Sequence, residues 1–374
     1  MDRVTEDPTR RAFLRFAGAG VVAAGLGPRA VAVAHHVPGA ARPPVLRWGV
    51  VGTGSIANSM AGSIRRAKGA ELAAVSSRSM ETARAYADRH QVALAFDSWA
   101  EMAASDAVDA IYVATPTSVR EEICIAAARG GKHVLGEKPL ASLASVDRIL
   151  AACRENDVAF MDGTHFSHHP RTAELQARRK EWIGGVSLVE SSCAFLLRDR
   201  ANIRYDPELE PMGAIGDVGW YNMRAAVECL PDGLELQSVN AELRRDQETG
   251  AVVGGKGELR FSNGVRSTWS CGFDSPQSAM NVHIEGEGGE IEMPGFLFQD
   301  PDNSARLIVR QGDAQPTTHR IPSDEPGSVL LFEDMAAAAA DPSLRPAWVN
   351  RTRRTQALLD AIWHVGLAVE AGKK

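Results

Sequence analysis

The chain has 374 residues and carries 41 lysines and arginines against 47 aspartates and glutamates, for a formal charge of −6. With 44% hydrophobic and 24% charged residues it has the composition of a folded chain, which excludes a largely disordered one. At roughly 100–200 residues per domain the length suits about two domains, and the mild acidity supplies no basic footprint for nucleic acid.

Residues 1–34 stand apart. Thr9-Arg10-Arg11-Ala12-Phe13-Leu14-Arg15 holds an arginine pair, residues 16–26 are weakly apolar, and Ala32-Val33-Ala34 is a small-x-small cleavage pattern before His35. The apolar run is too short, and too interrupted by Arg15, Pro28 and Arg29, to span a bilayer, so no stable membrane insertion is expected. The segment resembles twin-arginine (Tat) signals, which implies the Tat export machinery as a partner and a periplasmic or extracellular location. Its loss removes five bases and three acids and leaves a more acidic remainder. Residues 35–44 form a proline-bearing arm. Cys124, Cys153, Cys193, Cys229 and Cys271 are odd in number, widely spaced and without a C-x-x-C, so they are expected as small core residues rather than a disulfide framework. No metal-ligand spacing appears, His168-His169 being an isolated pair.

Residues 45–51 read as an apolar strand running into Gly52-Thr53-Gly54-Ser55-Ile56-Ala57, a G-x-G-x-x-A turn. A helix to residues 64–68 and a strand at 71–76 complete a βαβ unit on schedule. In such a unit Gly52 makes the tight turn and Gly54 lets backbone approach a pyrophosphate on the helix N-terminus. Ala57 keeps helix close to sheet. After the second strand the chain reads Ser76-Ser77-Arg78-Ser79, where an NAD site usually has a carboxylate. Hydroxyls and a guanidinium suit a 2′-phosphate, so Ser77 and Arg78 favour NADP over NAD. Strands at 107–114 and 132–135 alternate with a helix at 120–129, which implies a doubly wound parallel sheet. Thr115-Pro116 and Glu137-Lys138-Pro139 fall at the carboxyl ends of those strands, where such sheets bind ligands.

The second half is strand-rich, with segments at 186–195, 235–243, 252–261, 265–273, 280–285 and 290–293. Turn signals at Asn263-Gly264, Ser275-Pro276 and 286–289 separate some of them. Residues 217–229 and 349–369 read as helices.

The G-x-G-x-x-A turn, Ala114-Thr115-Pro116, Glu137-Lys138-Pro139 and Gly213-Ala214-Ile215-Gly216-Asp217-Val218-Gly219-Trp220-Tyr221 come in the order and spacing of the glucose-fructose oxidoreductase/inositol dehydrogenase (Gfo/Idh/MocA) family, which the chain resembles over nearly all of residues 45–374. The resemblance implies an α/β protein: a Rossmann domain at 45–165, then a domain at 166–346 with a large, mostly antiparallel open sheet for substrate and dimerisation. A C-terminal helix within 347–374 then packs back near the first domain. It also implies NAD(P)-dependent oxidation or reduction of a sugar or polyol carbon in a homo-oligomer, a dimer or tetramer.

Hydride transfer at a CH–OH carbon needs a proton acceptor, and the reverse needs a donor. Lys138 stands at a strand end beside the expected cofactor, and Asp217 and Tyr221 are spaced i, i+4, on one face of a helix. Most family members have histidine where Tyr221 stands; tyrosine marks the glucose-fructose oxidoreductase-like branch. Tyr221 is therefore the expected acid/base, with Lys138 stabilising its phenolate and Asp217 orienting a neighbour or binding substrate. Residues 160–171 stand where the family crosses between domains, making His169 and Arg171 candidate substrate contacts, with Trp220 beside the tyrosine. Gly52 to Ala57, Ser77, Arg78, Thr115, Pro116, Glu137 and Lys138 are the expected cofactor residues. Export favours a retained NADP and ping-pong transfer between two sugars. A conventional sugar, inositol or trans-dihydrodiol dehydrogenase that releases its cofactor suits the same residues, and a non-catalytic ligand-binding protein of this fold stays open.

Overall fold

The computed structural model describes residues 45–373, so the expected export signal at 1–34 and arm at 35–44 lie outside the described residues. The first lobe alternates strand and helix: β1 (Leu46–Val51), α1 (Ser55–Arg66), β2 (Ala70–Ser76), α2 (Met80–His90), β3 (Leu94–Phe96), α3 (Trp99–Ala104), β4 (Ala110–Val113), α4 (Thr117–Arg129), β5 (His133–Gly136), α5 (Leu143–Glu155) and β6 (Phe160–Asp162). Its six strands run parallel in the order β3-β2-β1-β4-β5-β6, so the carboxyl ends of β1 and β4 meet at the point where strand order reverses. All four residues of β4 are buried, because a parallel sheet is covered on both faces and needs continuous apolar strands.

The second lobe begins with α6 (Pro170–Ile183) and β7 (Val186–Leu196). A π turn over Ile215–Gly219 leads into α7 (Trp220–Cys229). Seven further strands follow: β8 (Leu236–Arg245), β9 (Val252–Phe261), β10 (Arg266–Gly272), β11 (Asp274–Gly286), β12 (Gly289–Pro294), β13 (Ala305–Gln311) and β14 (Thr317–Ile321). The sheet order is β14-β13-β12-β11-β7-β10-β9-β8, antiparallel except between β7 and β10. The α/β architecture is therefore the expected one, with β13 and β14 in addition.

Two helices close the chain: α8 (Gly327–Ala340) and α9 (Arg345–Gly372). The first returns to the parallel sheet. Phe332 of α8 meets Trp48 of β1 edge-on at 4.9 Å, and Val329, Leu331 and Met335 join the same buried cluster. The division that gives all of 166–346 to the second lobe is thereby corrected, since 327–340 supplies one cover of the first lobe's sheet. The second, α9, packs on α5 and β6 as well as on β8 and α7, and so bridges the lobes. A buried cluster fixes this junction. Asp162 of β6 pairs with Arg224 of α7 and accepts from Thr352 of α9 at 2.5 Å, while Arg224 Nε donates to Thr355 at 2.7 Å. All five cysteines are buried free thiols.

Candidate active site

The β1–α1 turn is built as a cradle. Gly52 has φ +102°, and a Cβ there would stand 2.6 Å from the Ala114 carbonyl oxygen, so only glycine fits. At Gly54, by contrast, a Cβ would meet nothing within 4 Å, so the space is open to a ligand. No side chain caps the start of α1, and its first turn contains no acid, so its N–H groups are available to an anion. Thr53 lies in the turn, Ser55 and Ile56 are exposed, and Ala57 is buried against the sheet. Asn58 Nδ2 ties the turn by donating to the carbonyls of Thr53 and Gly54, each at 2.9 Å. At the end of β2, Ser77 Oγ lies 3.3 Å from Thr53 Oγ1 and accepts from Thr82 Oγ1 at 2.7 Å. Arg78 is exposed beside it with no ion pair among the described residues. These residues fit a dinucleotide with an added ribose phosphate: an open pyrophosphate cradle, two hydroxyls and a guanidinium, with no carboxylate at the strand end.

The ends of β4 and β5 are held together by Arg120. Its buried guanidinium donates to the carbonyls of Thr115 and Pro139, and to Thr117 Oγ1 at 3.1 Å. From the second lobe, Glu210 accepts from Thr117 N at 3.1 Å and Thr117 Oγ1 at 2.6 Å, closing that edge of the cleft. Thr115 and Pro116 are half-buried there. Glu137 departs from expectation. Its carboxylate points inward, accepting from Tyr112 OH at 2.5 Å and from Lys138 N at 3.1 Å, and burial raises its pKa. It supports the strand end and does not face the cleft.

Lys138 reaches the other way. Nζ donates to Asp217 Oδ1 at 2.7 Å and to the Asp217 carbonyl at 2.9 Å, and lies 4.9 Å from the centre of the Tyr221 ring. The contact depends on close backbone approach, since a Cβ on Gly216 would stand 2.9 Å from Pro139 Cγ. The straight helix expected from Asp217 is not formed. Residues 215–219 make a π turn, a conformation frequent at functional positions, and the α-helix starts at Trp220. Asp217 and Tyr221 still both face Lys138. Arg204 adds a second cation, with Nε 2.6 Å from Asp217 Oδ2.

Burial works against the Asp217 charge, but Lys138 and Arg204 outweigh it and hold the carboxyl well below the usual range. Burial likewise opposes the Lys138 charge, and Asp217 and Tyr221 raise its pKa above the ordinary value. For Tyr221 the balance runs opposite to the expected stabilisation of phenolate. Burial raises its pKa further than Lys138 lowers it, so the phenol stays protonated. His165 completes the group. Its ring is 6.3 Å from that of Tyr221, and burial, Lys138 and His168 bring its pKa down to about 4, leaving it neutral.

Three expected substrate contacts are corrected by burial. His169 is enclosed: Nδ1 accepts from Arg171 N at 3.0 Å to cap α6, and Nε2 meets the Asn303 carbonyl at 2.8 Å. Arg171 is 1% exposed, bonds the Phe296 carbonyl, and is pushed down to about 10 by desolvation. Trp220 is wholly enclosed, donating from Nε1 to Thr164 Oγ1 at 2.6 Å. Polar and aromatic side chains beside a cleft motif look like cleft residues until packing shows which way they turn. The sequence does not single out Arg204, Arg120, Asn58, Glu210 or His165, as their partners are set by tertiary structure or lie outside the quoted motifs.

Known proteins resemble this chain across both lobes. The sequence matches the family model described as oxidoreductase family, NAD-binding Rossmann fold, over residues 46–164, and the GFO/IDH/MocA C-terminal domain over 175–292. It is 28% identical over 322 residues to a dTDP-3,4-didehydro-2,6-dideoxy-alpha-D-glucose 3-reductase of Actinomadura kijaniata, covering 85% of this chain and 94% of that one. It is 33% identical to a scyllo-inositol 2-dehydrogenase (NADP(+)) of Bacillus subtilis, over 78% of this chain and 87% of that one. The crystal structure of a 3-ketoreductase from Actinomadura kijaniata in complex with NADP and TDP-benzene superposes with a TM-score of 0.78 at 25% identity, over 85% of this chain and 97% of that one.

Proposed function

The chain belongs to the Gfo/Idh/MocA oxidoreductase family, and from that premise we propose that it is an NADP-dependent oxidoreductase acting on a CH–OH or C=O carbon of a sugar or polyol. The carrying observation is the Lys138 ammonium, paired with Asp217 beside the protonated Tyr221 phenol at the edge of an open dinucleotide cradle. NADP(H) supplies or takes up the hydride. Lys138 binds the substrate oxygen and stabilises negative charge on it. Tyr221 gives its proton to the carbonyl oxygen in reduction and is reprotonated from solvent; in oxidation the phenol first releases its proton to solvent, and the phenolate, beside the Lys138 ammonium, takes the hydroxyl proton. Asp217 orients the ammonium. Ser77 and Arg78 hold the ribose phosphate, and the free N–H groups of α1 hold the pyrophosphate.

We further read the protein as exported by the Tat machinery to the periplasm or beyond, on the strength of the Arg10-Arg11 segment. Free NADP is not expected there, so the consistent enzyme folds around its cofactor and regenerates it with a second sugar in ping-pong fashion. A second reading is a conventional dehydrogenase that exchanges NADP, which the scyllo-inositol 2-dehydrogenase (NADP(+)) relative favours equally. The protein is proposed to assemble as a homo-oligomer. Purification without added cofactor separates the two readings. Nicotinamide absorbance and fluorescence that respond to sugars support the retained form; empty protein that turns over only with added NADP establishes the exchanging one. If Lys138→Ala and Tyr221→Phe left hydride transfer intact, the catalytic assignment would be wrong and a ligand-binding role without catalysis would stand.

A further inference from the structure

One cation beside the site neither holds the cofactor nor moves the proton. Arg204 lies on a short 3-10 turn, Ile203–Tyr205, whose backbone is pinned on two sides. Tyr205 is buried, its phenol donates to the Leu197 carbonyl at 2.7 Å, and its ring meets Phe273 at 5.1 Å. Asn202 caps the turn, Oδ1 accepting from Arg204 N at 3.2 Å. The guanidinium therefore leaves a fixed point and forks onto one carboxylate, with Nε to Asp217 Oδ2 at 2.6 Å and Nη2 to Oδ1 at 3.2 Å.

That fork decides how Asp217 meets Lys138. With Oδ2 taken, the carboxylate cannot rotate to offer both oxygens to the ammonium. Lys138 instead uses Oδ1 and the Asp217 carbonyl. An ammonium has three donors, so one remains. The charges close in the same sense: Lys138 and Asp217 alone sum to zero, and Arg204 leaves the trio at plus one, with Glu210 acting on Arg204 from its own place on Thr117.

We propose that Arg204 is a positioning residue of the hydride-transfer site: by occupying both oxygens of Asp217 it leaves Lys138 a free donor, and adds positive charge, for the substrate oxygen. The proposal rests on the reading that Lys138 and Tyr221 act on that oxygen. The charged and titratable groups facing Tyr221 are Lys138, Glu137, Asp217, Cys193 and Tyr112, with Arg204 interacting electrostatically and His165 neutral. Removing Arg204 breaks no hydrogen bond of Lys138 or Tyr221, its side-chain bonds going to Asp217 and Asn202.

The test compares Arg204→Met and Arg204→Lys with the unaltered full chain, using NADP+ and D-xylose, D-glucose or scyllo-inositol as hydride donor. Arg204→Met is expected to lower kcat about ten- to a hundredfold while NADP binding, read as bound cofactor per chain or as affinity for added NADP+, stays within about twofold. The alkaline limb of the oxidation profile moves up by about one pH unit, because a positive charge has left the neighbourhood of Tyr221. Arg204→Lys restores most of both, and thermal unfolding of the two variants serves as the fold control. A substrate-free readout accompanies these: the rate of Lys138 acetylation by acetic anhydride, resolved by mass spectrometry at pH 8–10. It should fall about three- to tenfold in Arg204→Met, as Asp217 turns wholly to the ammonium and raises its pKa. Unchanged acetylation, or an unshifted profile with equal losses in both variants, overturns the proposal. Lys138→Met and Tyr221→Phe separate the two levels: if they are as active as the unaltered protein, the catalytic reading fails, and if they are inactive while Arg204→Met is unaffected, only the role of Arg204 fails.

Discussion

Nζ of Lys138 lies 2.7 Å from Oδ1 of Asp217, although Lys138 follows the fifth strand of the first lobe and Asp217 sits in the π turn of the second. The pair that we propose to act in catalysis is therefore also a cross-lobe tie, with side chains only 11% and 13% exposed. Asp217→Asn leaves two cations facing a neutral amide, and a loss of about 3 kcal/mol is expected on breaking such a buried pair. Its pH dependence has a definite sign. A lowered carboxyl pKa contributes stability above the ordinary value near about 4, lost only as pH falls through the lowered one; a raised lysine pKa contributes below about 10.4, lost as pH rises through the raised one. The stability difference between the unaltered chain and Asp217→Asn, measured by urea unfolding, should be constant between about pH 5 and 9. A difference that shrinks on going from pH 7 to pH 5 would contradict it.

Because burial holds Tyr221 protonated, carbonyl reduction should show no phenol limb across about pH 6–9, and His165, at about 4, contributes none there either. Tyr221→Phe removes the proton donor while keeping the ring, so kcat for reduction should fall about 10²–10⁴-fold with NADPH affinity unchanged. Steady-state rates with a ketose or an inosose check this, and a loss below about fivefold would point to solvent as the donor.

The parts of this site legible in the sequence are those set by local backbone demands. Gly52 and Gly54 shape a turn, Lys138 and Thr115-Pro116 end strands, and Asp217 and Tyr221 lie in one short motif. What escapes it depends on distant segments. Arg204 sits in an aperiodic loop and meets Asp217 only because Tyr205 anchors its turn against Phe273. The helix at residues 327–340 is not read in the sequence, and nothing in its order says that Phe332 seeks Trp48 across the chain. The π turn reads as plain helix because i, i+4 spacing does not register the extra residue that π geometry accommodates.

Gly54 and Arg78 make the cofactor assignment testable without a substrate. A Cβ at Gly54 clashes with nothing in the protein, so Gly54→Ala should leave thermal stability unchanged while weakening NADP binding about tenfold, as the methyl stands where the pyrophosphate must approach. Arg78→Ala should cost NADP about ten- to thirtyfold and NAD less than about twofold, since a single charge-assisted contact to the 2′-phosphate is lost. Fluorescence titration of each reduced cofactor measures both. Equal losses for NADP and NAD would remove Arg78 from the phosphate site.

Arg171 and Trp220 give the converse test, because burial assigns them to the interior. Trp220→Phe keeps an aromatic ring but deletes the donor to Thr164 Oγ1, which also bonds Asp162 within the buried cluster at the lobe junction, and it leaves a cavity because phenyl is smaller than indole. The cavity and the hydroxyl left short of a partner should together destabilise the fold by about 2–4 kcal/mol. Arg171→Met replaces a guanidinium already disfavoured by desolvation with an apolar chain of similar length; the unpaired Phe296 carbonyl opposes that gain, so the net change should stay within about 2 kcal/mol. In both variants KM for the sugar should stay within about twofold of the unaltered protein, since neither side chain reaches the cleft. A tenfold rise in KM with unchanged unfolding would return either residue to the substrate site.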